Sequence, residues 1–108
     1  MYSFPVSASE EILKKGLANL HSSGDSFSGA LYLTTERLVF IGYISDATHK
    51  FMEAVPLGEI SELTQGKSLF LIPNVIGVQT TTDKKLKFVV RGRNSWFQEI
   101  NKKIREIS

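Results

Sequence analysis

The chain contains no cysteine, so it can form neither disulfide bonds nor thiolate metal sites. It has two histidines, His21 and His49, and no local motif places either of them beside a nucleophile or among further metal ligands. Phosphate-binding loops and dinucleotide-binding fingerprints are also absent, because the eight glycines are scattered along the chain. The sequence therefore predicts no catalytic residues, no metal site and no cofactor.

Long apolar runs are missing as well. The longest, residues 38–41 and 69–72, fall far below the roughly 20 residues of a membrane-spanning helix. The N-terminus has no basic region followed by an apolar core, so the sequence predicts no signal peptide. We expect a soluble cytoplasmic protein.

Neither sign of charge is in large excess. Thirteen Lys and Arg residues face 11 Asp and Glu residues, which gives a net charge of +2 despite a pI of about 9.0. So weak a field gives little support to nucleic-acid binding, and Lys85 and Lys87 alternate with Phe88 on opposite strand faces. Nucleic acid is therefore not an expected partner.

The length of 108 residues fits a single domain, residues 1–108, with its core within about residues 10–107. Apolar residues make up 42% of the chain, which is enough for one core, and no linker or repeat divides it. Residues 1–9 are mostly small and polar, and we expect them to form a loose lead-in.

The most informative segment is Gly29 to Phe40, in which two apolar runs flank the polar residues Thr34 to Arg37. Leu31 and Leu33 alternate with other residues, as side chains on one face of a strand do. The pattern predicts a β-hairpin whose leucines press onto a shared core.

Further short strands are predicted at residues 51–57, 60–64, 75–81 and 86–90, with a second hairpin turn at residues 82–85. Residues 22–28 and 42–50 are rich in polar residues and are predicted to be loops.

Residues 12–20 are ambiguous. Ile12, Leu13, Leu17 and Leu20 fit one face of a helix, and residues 7–10 match a helix-capping box. Gly16 in the middle weakens such a helix by about 1 kcal/mol relative to alanine.

The C-terminus predicts an amphipathic helix, because Phe97, Ile100, Ile104 and Ile107 recur at three- and four-residue spacings. Residues 95–98 match a capping box at its start. We expect Trp96 and Phe97 in the core, with room for one of them at the rim of an interface, since adjacent helical residues point about 100° apart. Short strands followed by one helix suggest a small barrel that the helix closes.

In this order, the elements resemble the GRAM family, whose fold is like that of pleckstrin-homology domains. Residues 29–40 are similar to its Gly-x-Leu-Tyr-Leu-Thr-x-x-Arg-Leu-x-Phe motif, and residues 55–60 to its Ile-Pro-Leu-x-x-Ile element. Residues 72–74 and 87–93 resemble further family segments, much as in bacterial members, and the match covers roughly residues 10–105. A bacterial stand-alone version of the family is the expected type.

The resemblance implies about seven antiparallel strands in a bent, barrel-like sheet, with the C-terminal helix over one opening. It also implies that residues 12–20 form the first strand, so we predict a strand there in place of the helix. Pleckstrin-type lipid binders commonly carry basic residues in the loop that follows this strand, whereas residues 21–27 contain no Lys or Arg.

A basic cluster before the C-terminal helix is the candidate anion-binding site, because cationic side chains near free backbone amides can hold a phosphate or carboxylate. The candidate lipid- or anion-binding residues are Arg91, Arg93, Lys84, Lys85 and Lys87. The alternative is that Arg91 and Arg93 are solvated turn residues that pair with Glu62 or Glu99, since exposed ion pairs are common.

A second candidate feature is the apolar run Leu69, Phe70, Leu71 and Ile72, which enters a strand in the family pattern. If exposed, it can contact a bilayer surface or a partner protein. Burial is the alternative, since contiguous exposed apolar patches are uncommon on monomers.

Two functions remain open on the sequence alone. In the first, the chain is a non-enzymatic binding module that recognises anionic membrane lipid headgroups and lies at the membrane periphery, as the resemblance implies for some family members. In the second, it is a protein-interaction module or a small homo-oligomer that uses a sheet edge or the groove beside the helix.

Overall fold

A computed structural model describes residues 4–22, 24–43, 50–68 and 72–107, apart from the side chains of Ser68, Ile72 and Pro73. Within those residues, seven antiparallel strands form one curled sheet in the order β4-β3-β2-β1-β7-β6-β5, and one helix follows. The elements are β1 Ile12–Ser22, β2 Asp25–Thr34, β3 Arg37–Tyr43, β4 Lys50–Pro56, a short 3-10 helix Leu57–Glu59, β5 Ile60–Ser68, β6 Ile72–Thr80, β7 Lys85–Val90 and α1 Arg93–Ile107. The predicted half-barrel with a C-terminal helix is confirmed.

Strand β1 confirms the prediction from the family resemblance over the helical pattern. It pairs with β2 along its length, and of the four residues on the supposed helical face only Leu20 is buried, while Leu17 is 76% exposed. Ala18 and Leu20 face the core with a period of two instead. Pairing with neighbouring strands therefore overrides the local helical periodicity.

The predicted loop at residues 22–28 is mostly strand. Because β1 extends to Ser22 and β2 begins at Asp25, the connection is a tight turn that includes Gly24 at φ 84°. Phe27 favours this extension, since its ring stacks on that of Phe51 with the centroids 4.2 Å apart. His21 was also expected in a loop and lies on β1 for the same reason.

The other strands lie where the sequence predicts them, with shifted ends. Strand β5 runs to Ser68 instead of residue 64, and β6 begins at Ile72 instead of residue 75. The second hairpin turn is confirmed, with Asp83 at φ 64° and the Thr80 hydroxyl accepting a hydrogen bond from the backbone N–H of Lys84. Of the predicted connection at residues 42–50, residues 44–49 lie outside the described part of the chain.

The C-terminal helix begins earlier than its predicted capping box. Gly92 adopts φ 75° and turns the chain out of β7, and its carbonyl accepts a hydrogen bond from the backbone N–H of Trp96. Ser95 therefore lies within the first turn and donates its hydroxyl to Glu99. Trp96 is buried as predicted, whereas Phe97 is only partly buried.

The buried apolar face of α1 also ends earlier than the spacing of Phe97, Ile100, Ile104 and Ile107 predicts. Ile100 is fully buried and Ile104 packs against the core, but Ile107 is 50% exposed.

The hairpin formed by β2 and β3 is buried on both of its faces. Its inner face presents Leu31, Leu33, Leu38 and Phe40 to the main core. Its outer face carries a second cluster, Ala30, Tyr32, Val39 and Ile41. Gly29 lies opposite Gly42 across this hairpin, and a Cβ at Gly29 would meet the carbonyl oxygen of Ile41. Close approach of the two strands therefore requires glycine at this position of the motif.

Residues 4–10 are held against this outer face, which differs from the loose lead-in expected. The Phe4 ring packs edge-on against Tyr32, with the centroids 5.0 Å apart. Arg37 lies 5.3 Å from the centroid of the Phe4 ring and donates a hydrogen bond to the carbonyl of Pro5. The segment is therefore fixed by side chains that the sequence alone does not pair.

The Thr34–Arg37 turn also holds the N-terminal segment, through Glu10. The Glu10 carboxylate, with a side chain 1% exposed, accepts hydrogen bonds from Arg37 Nε at 2.9 Å and from the Thr34 hydroxyl. Glu10 also accepts a hydrogen bond from the backbone N–H of Ser7, so the supposed capping box closes a turn and caps no helix. We call Glu10, Thr34 and Arg37 the N-terminal clamp.

The clamp controls the ionisation of Glu10. The side-chain hydrogen bond from Arg37 holds the pKa of Glu10 at about 2, below its usual value of 4.5, with burial opposing and the hydrogen bonds from Thr34 and Ser7 assisting.

Candidate functional site

Two of the predicted anion-binding cations are engaged elsewhere in the fold. Lys84 Nζ lies 2.6 Å from Glu53 Oε1 on β4. Arg93 Nη1 donates a hydrogen bond of 2.9 Å to the backbone carbonyl of Gly66, and its other nitrogens contact Asn94. Arg93 thereby ties the start of α1 to β5, which gives it a structural role.

The ion pairs expected for Arg91 and Arg93 do not form among the described residues. The carboxylate of Glu99 binds Lys14 Nζ at 3.2 Å instead. Lys14 belongs to the inner side of β1, and its ammonium also lies 5.3 Å from the centroid of the Trp96 ring.

The remaining three candidates, Lys85, Lys87 and Arg91, are exposed. Lys85 and Lys87 alternate along β7 with Leu86 and Phe88, which are buried in the core, so both lysines point to the outside of the sheet. Lys85 and Lys87 both line a shallow depression together with Glu62, so the charge of each is partly offset there.

Lys87 belongs to a second depression on the outer surface of β1, β7, β6 and β5. Strand pairing places His21 beside Lys87, Lys87 beside Gly77, and Gly77 beside Thr64. Lys67 lines the same depression, which has a volume of about 330 Å³, at the lower end of the roughly 300–1,000 Å³ typical of ligand pockets. Two lysines and one histidine, Lys67, Lys87 and His21, therefore line one shallow hollow.

The floor of this hollow is apolar and smooth. Val75 and Val89 line it, together with Gly66 and Gly77. The Thr64 hydroxyl lies over Gly77, where a Cβ would collide with it. Glycine at position 77 therefore leaves room for the Thr64 hydroxyl, and Thr64 lines the hollow.

An adjoining depression continues the same surface past Val89, which lines both. Lys15, Leu17 and Arg91 line this second hollow, whose volume is about 710 Å³. Leu17 is the most exposed of the large apolar side chains described. We call the surface formed by Lys15, His21, Lys67, Lys87 and Arg91 the basic face.

The basic face concentrates charge that the whole chain does not show. Neither hollow is lined by an Asp or Glu, and in the described part of the chain no ion pair involves its Lys and Arg residues. These four Lys and Arg residues leave nine basic against 11 acidic residues elsewhere in the sequence. The net charge of +2 is therefore small although positive charge is concentrated on the basic face, because acidic residues are in excess over the rest of the chain.

Sequence reasoning identified Lys87 and Arg91 and missed Lys15, Leu17, His21 and Lys67. The missing residues come from β1 and β5, which only strand pairing brings beside β7. The signal for two of them was available, because a strand at residues 12–20 places Lys15 and Leu17 on the face opposite Ala18 and Leu20.

The apolar run predicted as a contact surface cannot be located. Leu69, Phe70 and Leu71 lie outside the described residues, and although Ile72 opens β6, its side chain is not described. His49 lies outside the described residues as well. In the ranges that are described, no group of three or more His, Asp or Glu side chains is placed to hold a metal ion. No helix in those ranges is long and apolar enough to cross a membrane.

Known structures share the fold. The C-terminal domain of an unknown protein from Leishmania infantum superposes with a TM-score of 0.73 at 19% identity, covering 90% of this chain and 86% of its own. The N-terminal PH domain of Vps36 superposes with a TM-score of 0.73 at 11% identity, covering 95% of this chain and 85% of its own. At such identities the likeness is one of fold alone.

Sequence comparison supplies the family. No curated protein sequence matches the chain. A sequence model of the GRAM domain matches residues 1–104, which include the Gly29–Phe40 hairpin, the clamp and the basic face. GRAM and PH-like domains are typically non-catalytic modules that commonly bind lipids or proteins. The chain belongs to the GRAM domain family.

Proposed function

We propose that this GRAM domain binds anionic lipid headgroups at a membrane surface through the basic face. The observation that carries the proposal is the grouping of Lys15, Lys67, Lys87 and Arg91 around two hollows that no carboxylate lines. GRAM domains can associate with membranes peripherally, so the proposal lies within the range of the family.

The chemistry of the hollow at Lys87 suits a phosphate. The ammonium groups of Lys67 and Lys87 supply charge, the Thr64 hydroxyl and His21 supply further polar contacts, and Gly66 and Gly77 leave the floor open. His21 Nδ1 lies 3.0 Å from the Ser26 hydroxyl, which leaves Nε2 for the hollow. Two cations with a polar centre therefore fit a phosphorylated headgroup.

The rest of the basic face suits the surrounding membrane surface. Each Lys or Arg near an anionic leaflet contributes about 1 kcal/mol, so four contribute about 4 kcal/mol, a weak and salt-sensitive attraction. The exposed Leu17 side chain adds an apolar contact at the same surface. The turn after β1, where residues 21–27 contain no Lys or Arg, is not needed for this attraction, because Lys15, Lys67 and Lys87 lie on strands and Arg91 directly follows β7.

We also propose that the domain is of bacterial type and works in the cytoplasm or at its membrane periphery.

Vesicle co-sedimentation tests the proposal. Neutral phosphatidylcholine vesicles serve as the blank, and vesicles that also contain phosphatidylserine or a phosphoinositide test general and headgroup-specific attraction. We expect binding to anionic vesicles that falls as salt rises from about 0.05 to 0.5 M, because the Debye length shortens. Competition by soluble inositol phosphate separates recognition of a headgroup from attraction to the surface.

Charge reversal locates the binding surface. Lys87→Glu should weaken binding to anionic vesicles by about tenfold or more, since it removes one attraction and adds a repulsion. Lys102→Glu makes the same change of charge on the exposed side of α1 and is the matched control. Equal losses from both variants, or no binding of the wild type to anionic vesicles at low salt, would refute the proposal.

A further inference from the structure

Strand β1 continues beyond the strand that pairs with it on one side. Residues 18–21 pair with residues 87–90 of β7, but β7 ends at Val90 because Gly92 turns the chain into α1. Residues 12–17 of β1 are paired only with β2. Among the described residues, no backbone hydrogen bond outside the sheet reaches the opposite edge of that segment. Although β1 lies between β2 and β7 in the sheet, the edge of its residues 12–17 that faces away from β2 is therefore unpaired within the described part of the chain.

A groove runs along this open edge. Residues 14–19 line the 710 Å³ hollow without a gap, together with Ser28 and Gly29 of β2 and with Val89, Arg91 and Trp96. Successive strand residues point to opposite faces of a sheet, so the continuous run 14–17 means that the hollow, which also extends over β2, reaches the open edge of β1. Gly16 lies beside the indole, where a Cβ would make an ordinary van der Waals contact of 3.4 Å with Trp96 Cζ2.

The charges around the groove indicate the chemistry of an occupant. Lys15 and Arg91 are exposed on its rim, and no Asp or Glu lines it. Lys14 is held on the inner side by Glu99, 3.2 Å away, so it does not compete for the open edge. Leu17, 76% exposed between these cations, offers an apolar contact. Lys15 and Leu17 lie two residues apart on one face of β1, so an extended segment complements this edge when it presents an acidic and an apolar side chain two residues apart on that same face.

We propose that residues 14–17 of β1 accept an extended acidic segment of a partner protein as an added β-strand. Main-chain hydrogen bonds to the free edge give affinity, and the alternating side chains give specificity, as in other cases of strand addition. Lysines on exposed edges also protect sheets from unwanted pairing, so Lys15 would discriminate between partners by rejecting segments that lack carboxylates. The site shares Lys15 and Arg91 with the basic face, but it excludes the hollow at Lys67 and Lys87 and does not depend on the proposed lipid binding.

Selection from a library of random peptides displayed on phage, with the full chain as the target, tests this proposal. We expect the selected peptides to carry an Asp or Glu two residues from an apolar residue, because Lys15 and Leu17 lie on one face of β1. A synthetic copy of a selected peptide should slow the hydrogen exchange of backbone amides within residues 14–17 in the assigned NMR spectrum. Two versions of the peptide should then be compared, one N-methylated at the odd-numbered amides and one at the even-numbered amides. Only one of them should bind about tenfold or more weakly, since only one set of amides faces β1.

Two variants and one control separate this site from the basic face as a whole. Arg91→Glu and Leu17→Ser should each weaken binding of the synthetic peptide by about fivefold or more, and both residues are exposed, so folding should be retained. Lys67→Glu should leave peptide binding within about twofold while weakening vesicle binding.

Three outcomes would overturn the proposal. The first is a selection in which the bound peptides are not enriched in Asp or Glu, which would mean that Lys15 only prevents pairing of this edge with other strands. The second is a peptide that shifts amides of β4 or β5 and spares residues 14–17. The third is self-association of the chain through residues 14–17, seen as amide protection that grows with protein concentration in the absence of peptide.

Discussion

On β2 and β3 the outer surface of the sheet is apolar and covered, whereas on β1 and β5–β7 it is basic and open. The first surface holds Ala30, Tyr32, Val39 and Ile41, with Phe4 and the N-terminal clamp beside them. The second holds the basic face. Because both share one inner core, the difference shows that this fold uses one outer surface for stability and leaves the other available for contact.

The largest expected effect comes from the covered side. Gly29→Val should destabilise the fold by about 4 kcal/mol or more, because its Cβ would meet the Ile41 carbonyl oxygen and the Gly42 backbone, neither of which can move without opening the hairpin. Urea denaturation measures the loss. Gly58→Ala is the control, since a Cβ there would meet nothing within 4 Å, and a similar loss from both variants would contradict the close-approach argument.

Loss of the N-terminal clamp should cause the second-largest decrease in the free energy of unfolding. Arg37→Ala leaves the Glu10 carboxylate buried without its ion pair, at an expected cost of about 3 kcal/mol. Denaturation measures it, and the double variant Glu10→Leu, Arg37→Leu should recover much of the loss, since it buries no charge. A double variant as unstable as Arg37→Ala would show that packing of the Arg37 side chain on Phe4, and not its charge, holds the segment.

Acid should reveal the same clamp without a mutation. The pKa of Glu10 is lower in the folded state, at about 2, than its ordinary value of 4.5, so its contribution is complete above pH 4.5 and is lost as the pH falls towards 2. Integration over that shift gives about 3 kcal/mol. Denaturation at pH 5, 4, 3 and 2.5 should show this loss in the wild type, and Glu10→Gln should show less of it.

The smallest effects are expected on the open side. Lys67→Ala and Lys87→Ala should each change the free energy of unfolding by less than about 0.5 kcal/mol, because both side chains are exposed and neither contributes to an ion pair among the described residues. Thermal denaturation measures this. A loss of about 2 kcal/mol from either would mean that the basic face is structural, which would remove the contrast between the two surfaces.

The sequence allowed the fold to be predicted because its elements are defined by local patterns and by one family motif. The alternation of Leu31 and Leu33 is a strand pattern in itself, and Thr34 and Arg37 occur at the spacing of the motif. For residues 12–20 the local pattern was misleading. Leu13 and Leu17 suggested a buried helical face and are exposed on β1, because the pairing partner decides which side chains are buried.

The site could be predicted only in part because its residues converge from distant strands. Lys87 and Arg91 belong to a recognisable run of cations, but Lys15, His21 and Lys67 join them through the β1–β7–β6–β5 order. Conversely, Lys84 and Arg93 have the same local sequence signal and are held by Glu53 and Gly66, two partners far away in the chain. The proximity of charges in the sequence therefore did not distinguish exposed cations from cations that are held within the fold.

The short β1–β7 ladder has a consequence for how the chain folds. Strands β1–β4 form one antiparallel meander and β5–β7 another, and residues 18–21 with 87–90 are where the two join within the sheet. Each meander can form from neighbours in sequence, whereas this joint must close across about 70 residues of intervening chain. We therefore expect formation of these four residue pairs to limit the folding rate, and the two meanders to become one cooperative unit only when they are made.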